Sequence, residues 1–331
     1  MSKRALAACL VATLATPAIA DDFYKGRTIS IIVGASPGGG HDAYARTLAR
    51  YMPAHIPGKP SMIVQNMPSA GNMGTARALV TTQAKDGTVI AALNAGVLTQ
   101  SVMQPELVNL DFRKFAWIGV ITPAFSVCYG YGNAGPGSWD ELMKRPQFIV
   151  GTTAKGSLSY TGSATLREIF NAPIKLIMGY PGSSESRLAL ERGELEGDCG
   201  EFTVIAPDWV SSGKAKLFVR FTRTRPANMP ESARWINDFA TTQEQRDTLD
   251  LLNVSNELGR PFVMAGDVSP ELVGVIRKAF DETMTDAAYL AESERLSLPV
   301  NPINGPDSAR VIDRMMAVSP AVVARARKIY D

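Results

Sequence analysis

The chain has 331 residues, 45% of them hydrophobic, with 34 basic and 32 acidic side chains and a formal net charge of +2. That length and composition suit two globular domains with substantial cores. The balance of charge excludes the clustered positive surface that nucleic acid or an anionic membrane would select.

The first twenty residues have the three parts of a secretory signal: Lys3 and Arg4, an apolar stretch over 5–14, and the small-residue site Ala18-Ile19-Ala20. Pro17 interrupts that stretch, which is short of the roughly 20 residues a spanning helix needs. Cleavage after Ala20 and a periplasmic mature protein are therefore expected, and the loss of Lys3 and Arg4 leaves 32 bases against 32 acids. Any acidic ligand must then be held locally. Cys9 leaves with the signal; for Cys128 and Cys199, one disulfide and two buried thiols are both open readings in an oxidising compartment.

From the mature start, strand and helix patterns alternate: a strand over 28–33, a helix over 43–52, a strand over 62–66, a helix over 75–82, and a strand over 88–93 after the Asp86-Gly87 turn. This βαβαβ order predicts a mainly parallel sheet, with ligands beyond the carboxyl ends of its strands. The loops there are 34–42, 68–74 and 94–96. After a strand over 117–121 the pattern restarts as a second α/β unit, with strands over 125–129, 148–152, 174–178 and 217–221, helices over 139–144 and 183–192, and a helix running to 170 after the loop 153–159. From 223 the pattern is mostly helical (232–239, 270–284, 287–293 and 306–330), with a strand-like segment over 261–265 and cap residues at Ser269-Pro270 and Asp307-Ser308.

The loop Gly-Ala-Ser-Pro-Gly-Gly-Gly-His-Asp over 34–42 joins the first strand to the first helix and is rich in free backbone N–H groups, which suits an anion. It matches Gly-x-Ser-x-Gly, the nucleophile elbow of an exported serine hydrolase using Ser36. The residue after that serine must donate an N–H to the oxyanion, and Pro37 has none. The only histidines, His41 and His55, also lie close behind Ser36 rather than far downstream. The loop matches a permissive dinucleotide fingerprint too, but the second strand ends in Gln65-Asn66 where a ribose-binding acid belongs. Two histidines and two separated cysteines make no metal cluster. No catalytic residue, metal or cofactor is expected. Asp42 reads as the cap of the helix over 43–52, and the side chain of His41 as either structural or a donor to a ligand.

Several motifs occur in one order: Tyr24-Lys25-Gly26-Arg27-Thr28, Ser36-Pro37-Gly38-Gly39-Gly40-His41-Asp42, Gln65-Asn66-Met67-Pro68-Ser69-Ala70-Gly71-Asn72-Met73-Gly74, Lys85-Asp86-Gly87-Thr88, Gly151-Thr152-Thr153-Ala154-Lys155-Gly156-Ser157, Tyr180-Pro181-Gly182-Ser183 and Leu258-Gly259-Arg260-Pro261-Phe262. Together they resemble the Bug-type solute-binding proteins of tripartite tricarboxylate transporters, over essentially the whole mature chain. The resemblance implies a two-domain α/β periplasmic binding protein fold, each domain a mainly parallel sheet flanked by helices. Residues 21–122 with 223–331 would form one domain and 123–222 the other, with a ligand cleft between them. It implies a monomeric receptor that closes on a small carboxylate and passes it to membrane transporter subunits or presents it to a sensor domain. Carried over residue by residue, it places Ser36, Gly39, Gly40, His41, Asp42, Gly71, Asn72 and Asn94 on one side of the cleft. On the other it places Thr153, Gly156, Ser157, Tyr180, Arg187 and Glu201. Thr153, Ala154, Pro181 and Gly200 depart from the family's usual residues, which bears on the identity of the acid.

Overall fold

The computed structural model describes residues 23–35, 37–38, 40–67, 73–152, 157–180 and 183–329. The expected signal segment and six expected site residues (Ser36, Gly39, Gly71, Asn72, Thr153 and Gly156) lie outside them.

Twelve described strands form two six-stranded sheets, each flanked by helices. In the first sheet the order is β12 (Ile303–Asn304), β4 (Ala116–Val120), β11 (Pro261–Met264), β3 (Val89–Ala92), β1 (Thr28–Val33) and β2 (Ser61–Asn66). Only β1, β2 and β3 run parallel; β11 is antiparallel to both β3 and β4, and β12 is antiparallel to β4. In the second sheet the order is β10 (Arg234–Trp235), β9 (Ala215–Arg220), β5 (Ser126–Tyr131), β8 (Gly197–Glu201), β6 (Phe148–Thr152) and β7 (Ile174–Met178). Here β6, β7 and β8 are parallel, and β5 runs against β8 and β9. Each sheet is thus a three-stranded parallel core extended by strands of both senses: β11 and β12 oppose the first core and β4 runs with it, while β5 opposes the second core and β9 and β10 run with it.

The β-branched run explains β1: Ile29, Ile31, Ile32 and Val33 are fully buried, each contributing about 1.5–3 kcal/mol. Other readings need correction. The first helix is Gly40–Tyr51, so Asp42 lies inside its first turn and does not cap it. Residues 232–239, expected as a helix, form β10 and one 3-10 turn, while the Gln243–Glu257 helix had no counterpart in the sequence reading. The segment 306–330 splits into Gly305–Met316 and Pro320–Arg327, because Pro320 cannot continue the first helix and starts the second behind the Ser319 cap. Asn304, not Asp307 or Ser308, caps Gly305–Met316. Strand β8, Gly-Asp-Cys-Gly-Glu, has no apolar alternation. Gly197 is required there because a Cβ would strike the Phe148 ring and the Tyr129 carbonyl.

Cys128 and Cys199 are direct partners across β5 and β8 and form a disulfide between buried positions, which decides the question the sequence left open.

Two segments join the sheets and are laced together. The chain passes from β4 to β5 through 121–125 and returns to β11 after the Gln243–Glu257 helix. The Ala124 N–H donates to the Asn256 carbonyl, the Arg260 N–H to the Thr122 carbonyl, and the Ile121 N–H to the Arg260 carbonyl. The Ser126 hydroxyl donates to Asn256 Oδ1 at 2.6 Å.

Candidate functional site

Parallel register sets the site's location. Val33 pairs with Asn66 and with Ala92, so the carboxyl ends of β1, β2 and β3 share one edge. Thr152 pairs with Met178, and β8 runs alongside β6, so Glu201 closes the corresponding edge of the second sheet. These are the edges from which the sequence-expected loops spring.

On the first edge Asp42 is a structural tie. Its buried carboxylate accepts the Gly38 N–H at 2.8 Å, Arg46 Nε at 2.9 Å and Asn66 Nδ2 at 2.8 Å. Burial pushes its pKa up, but the bonds from Arg46, Gly38 and Asn66 prevail and hold the carboxyl below its usual range. Asn66 also donates to the Ala35 carbonyl at 3.0 Å. The residue that failed as a ribose-binding acid therefore anchors the loop. Asn94, exposed beyond β3, turns its Oδ1 back onto the Gly96 N–H at 2.8 Å.

His41 follows Gly40 at the start of the first helix. Its Nε2 is sealed from solvent without a partner, and burial, then the nearby Arg260 guanidinium, lower its pKa to about 3. The ring is neutral at ordinary pH.

On the second edge Ser157 caps the Leu158–Phe170 helix, accepting the Tyr160 N–H at 3.2 Å, and lies within 3.2 Å of the Thr152 hydroxyl. Tyr180 packs its ring over Gly151, and its N–H donates to the Thr152 carbonyl. Arg187 is partly buried on the Ser183–Glu191 helix, close enough to Tyr129 to lower its hydroxyl pKa against burial and the charge of Asp198, which together raise it.

The two edges meet in an ion pair that the sequence reading did not anticipate. Arg260, at the start of β11, donates Nη2 to both oxygens of Glu201, at 2.8 and 2.9 Å. The two side chains retain 9% and 16% exposure. Arg260 Cζ stands 5.6 Å from the Tyr44 ring centroid, and a Cβ on Gly40 would sit 3.8 Å from Nη2. Gly40, His41, Glu201 and Arg260 thus come together, whereas Asn94, Ser157, Tyr180 and Arg187 are distributed along the edges. The signal for Arg260 was its place directly before β11, whose antiparallel pairing with β3 brings it to the ligand edge.

A cavity of about 720 Å³ lies elsewhere, among Phe221, Thr222, Trp235, Leu251, Arg314 and Val322, and contains none of the expected site residues. Among the described residues no three His, Cys, Asp or Glu side chains cluster to hold a metal, and no helix is long and apolar enough to cross a membrane.

No family model matches the chain. A UPF0065 protein from the TAR-I ttuE–ttuC′ intergenic region of Agrobacterium vitis is 28% identical over 210 residues, 61% of this chain and 59% of that protein, so the match spans less than two thirds of the relative's length. A TctC solute binding protein from Polaromonas has the same fold, with a TM-score of 0.73 and 21% identity over 92% of this chain and 99% of that one. The periplasmic binding protein BugD aligns with a TM-score of 0.66 and 17% identity over 92% and 98% of the two chains. MatC from Rhodopseudomonas palustris with bound malate aligns with 0.64 and 16% over 92% and 99%. The chain is thus similar in sequence to a UPF0065 protein over 210 residues and has the two-domain α/β fold of the TctC and BugD solute-binding proteins.

Proposed function

We propose that the protein is a periplasmic receptor that captures a small carboxylate between its two sheets and delivers it to a tripartite tricarboxylate-type transporter, without covalent chemistry. The observation that carries this reading is the meeting of two strand-end edges at Arg260 and Glu201, beside the helix start at Gly40. A helix N-terminus and a guanidinium both favour an anion. The same fold holds malate in MatC. The lobes are residues 21–122 with 223–331 and residues 123–222, with β10 crossing onto the second sheet. A ligand touching both lobes would favour the closed arrangement, because only that arrangement satisfies all its contacts. A monomer, a signal removed after Ala20 and a membrane transporter or sensor partner belong to the same reading.

The hydrolase alternative through Ser36 gains no support: the His41 ring is neutral with its Nε2 sealed from solvent, and His55 is bonded to Asp286 at 3.1 Å. The test is a thermal-shift panel of mono-, di- and tricarboxylates on the mature protein. An acid at 100 times its Kd should stabilise the fold by about 2.7 kcal/mol. Absence of a shift with every acid would overturn the receptor reading.

A further inference from the structure

We propose that Arg260 is the charged group that receives the solute's carboxylate, and that Glu201 is a carboxylate the chain itself supplies to that position until the solute displaces it. The inference rests on the carboxylate-receptor reading above and names the residues that decide affinity within it.

Arg260 has five N–H donors in a planar fork. Glu201 uses Nη2 alone, at 2.8 and 2.9 Å; Nη1 has only a 3.4 Å contact to the neighbouring Gly259 carbonyl, and Nε is buried with no partner. The charge is neutralised but the fork is only partly filled. A carboxylate meeting two of its nitrogens side by side would satisfy it better than Glu201 does. His41 Nε2, also buried and unpartnered, belongs to the same cluster, and the start of the first helix beside Arg260 Nη2 adds its favourable potential for an anion.

The two partners are unequally held. Arg260 is fixed by its backbone bonds to Thr122 and Ile121, at the crossover between the sheets, and its side chain lies over the Tyr44 ring. Glu201 ends its strand and is the more exposed of the two side chains. Displacement therefore moves Glu201 towards water and leaves Arg260 in place. Glu201 competes with every carboxylate solute, and its removal should tighten binding. A purely structural ion pair predicts the reverse, because breaking it leaves a buried charge uncompensated and loosens the fold.

The experiment is calorimetric titration of dialysed mature protein with succinate, malate, adipate and benzoate, for the wild type, Glu201→Gln, Glu201→Asp and the double variant Glu201→Gln/Arg260→Gln. For at least one acid, Glu201→Gln should bind tenfold or more tighter than the wild type. The double variant should bind tenfold or more weaker than Glu201→Gln. Glu201→Asp, which keeps the charge but shortens its reach, should fall between the wild type and Glu201→Gln, and it carries the test if the glutamine variant does not fold. If the wild type binds an acid and the glutamate variants bind it no tighter, or if the double variant equals Glu201→Gln, this inference falls while the receptor reading stands. If no protein binds any acid, the receptor reading falls and takes the inference with it.

Discussion

The Asp42 carboxylate and the Asn66 amide meet at 2.8 Å, tying the first turn of the first helix to the end of β2. Because Asn66 also holds the Ala35 carbonyl and Asp42 also holds the Gly38 N–H, this pair fixes both ends of the glycine-rich loop. Asp42→Asn should lower stability by about 2 kcal/mol, from lost charge-assisted bonds at a buried position. The folded-state pKa is depressed, so this contribution is full above the ordinary aspartate range and is lost as pH falls through the folded value, below about pH 4. Urea unfolding of the variant and wild type at pH 7 and pH 3 would measure it, and the difference should shrink at the lower pH.

Asp198 behaves in the opposite sense. It lies in β8 opposite Tyr129, with Oδ1 buried and unpartnered, and burial raises its pKa to about 6 in spite of a bond from the Cys199 N–H. The folded chain holds this proton more tightly than the unfolded chain, so the contribution to stability falls as pH rises from about 4 to about 6. Asp198→Asn should therefore gain about 2 kcal/mol over the wild type at pH 7.5, with the gain vanishing near pH 4. An unchanged difference across that range would show that the carboxyl does not titrate there.

His41 should remain uncharged throughout the physiological range. Its folded-state pKa of about 3 lies below the ordinary value, so the unfolded chain takes up the proton first. Stability from this residue is full above about pH 6.5 and declines as pH falls towards the folded value. The ring-proton chemical shifts of His41 should be flat from pH 5 to 8, and any solute affinity should show no titration from this residue there.

The disulfide closes a long loop, the two cysteines being 71 positions apart. Chain entropy sets its stabilisation at about 4 kcal/mol, against the 2–5 kcal/mol typical of native bridges. The Cys128→Ser/Cys199→Ser protein should unfold at a lower urea concentration by a corresponding amount, and dithiothreitol should bring the wild type to the same midpoint.

Gly259 packs against the crossover, and a methyl there would collide with the backbone of Thr122, Pro123 and Ala124. Gly259→Ala should cost about 1–3 kcal/mol through overpacking. Because Arg260 follows immediately, it should also weaken solute binding beyond what the stability change alone explains, which titration beside urea unfolding would separate.

The order of most strands and the two-domain α/β fold were legible in the sequence, because β-branched runs and strand-to-helix turns are local signals. Strand β8 was not, since Gly197 is read only against the Phe148 ring and the Tyr129 carbonyl packed on it. The Gln243–Glu257 helix was missed although Thr242 caps it with a capping box, a signal that was there to be read. By itself the sequence determined where the early strand-to-helix turns fall and which residues resemble a receptor's site. Only the tertiary structure decided that Cys128 faces Cys199, that Asn66 anchors rather than binds, and that Arg260 meets Glu201. Each is a pairing of residues 24 to 71 positions apart, set by strand register and crossover, and no local pattern encodes it.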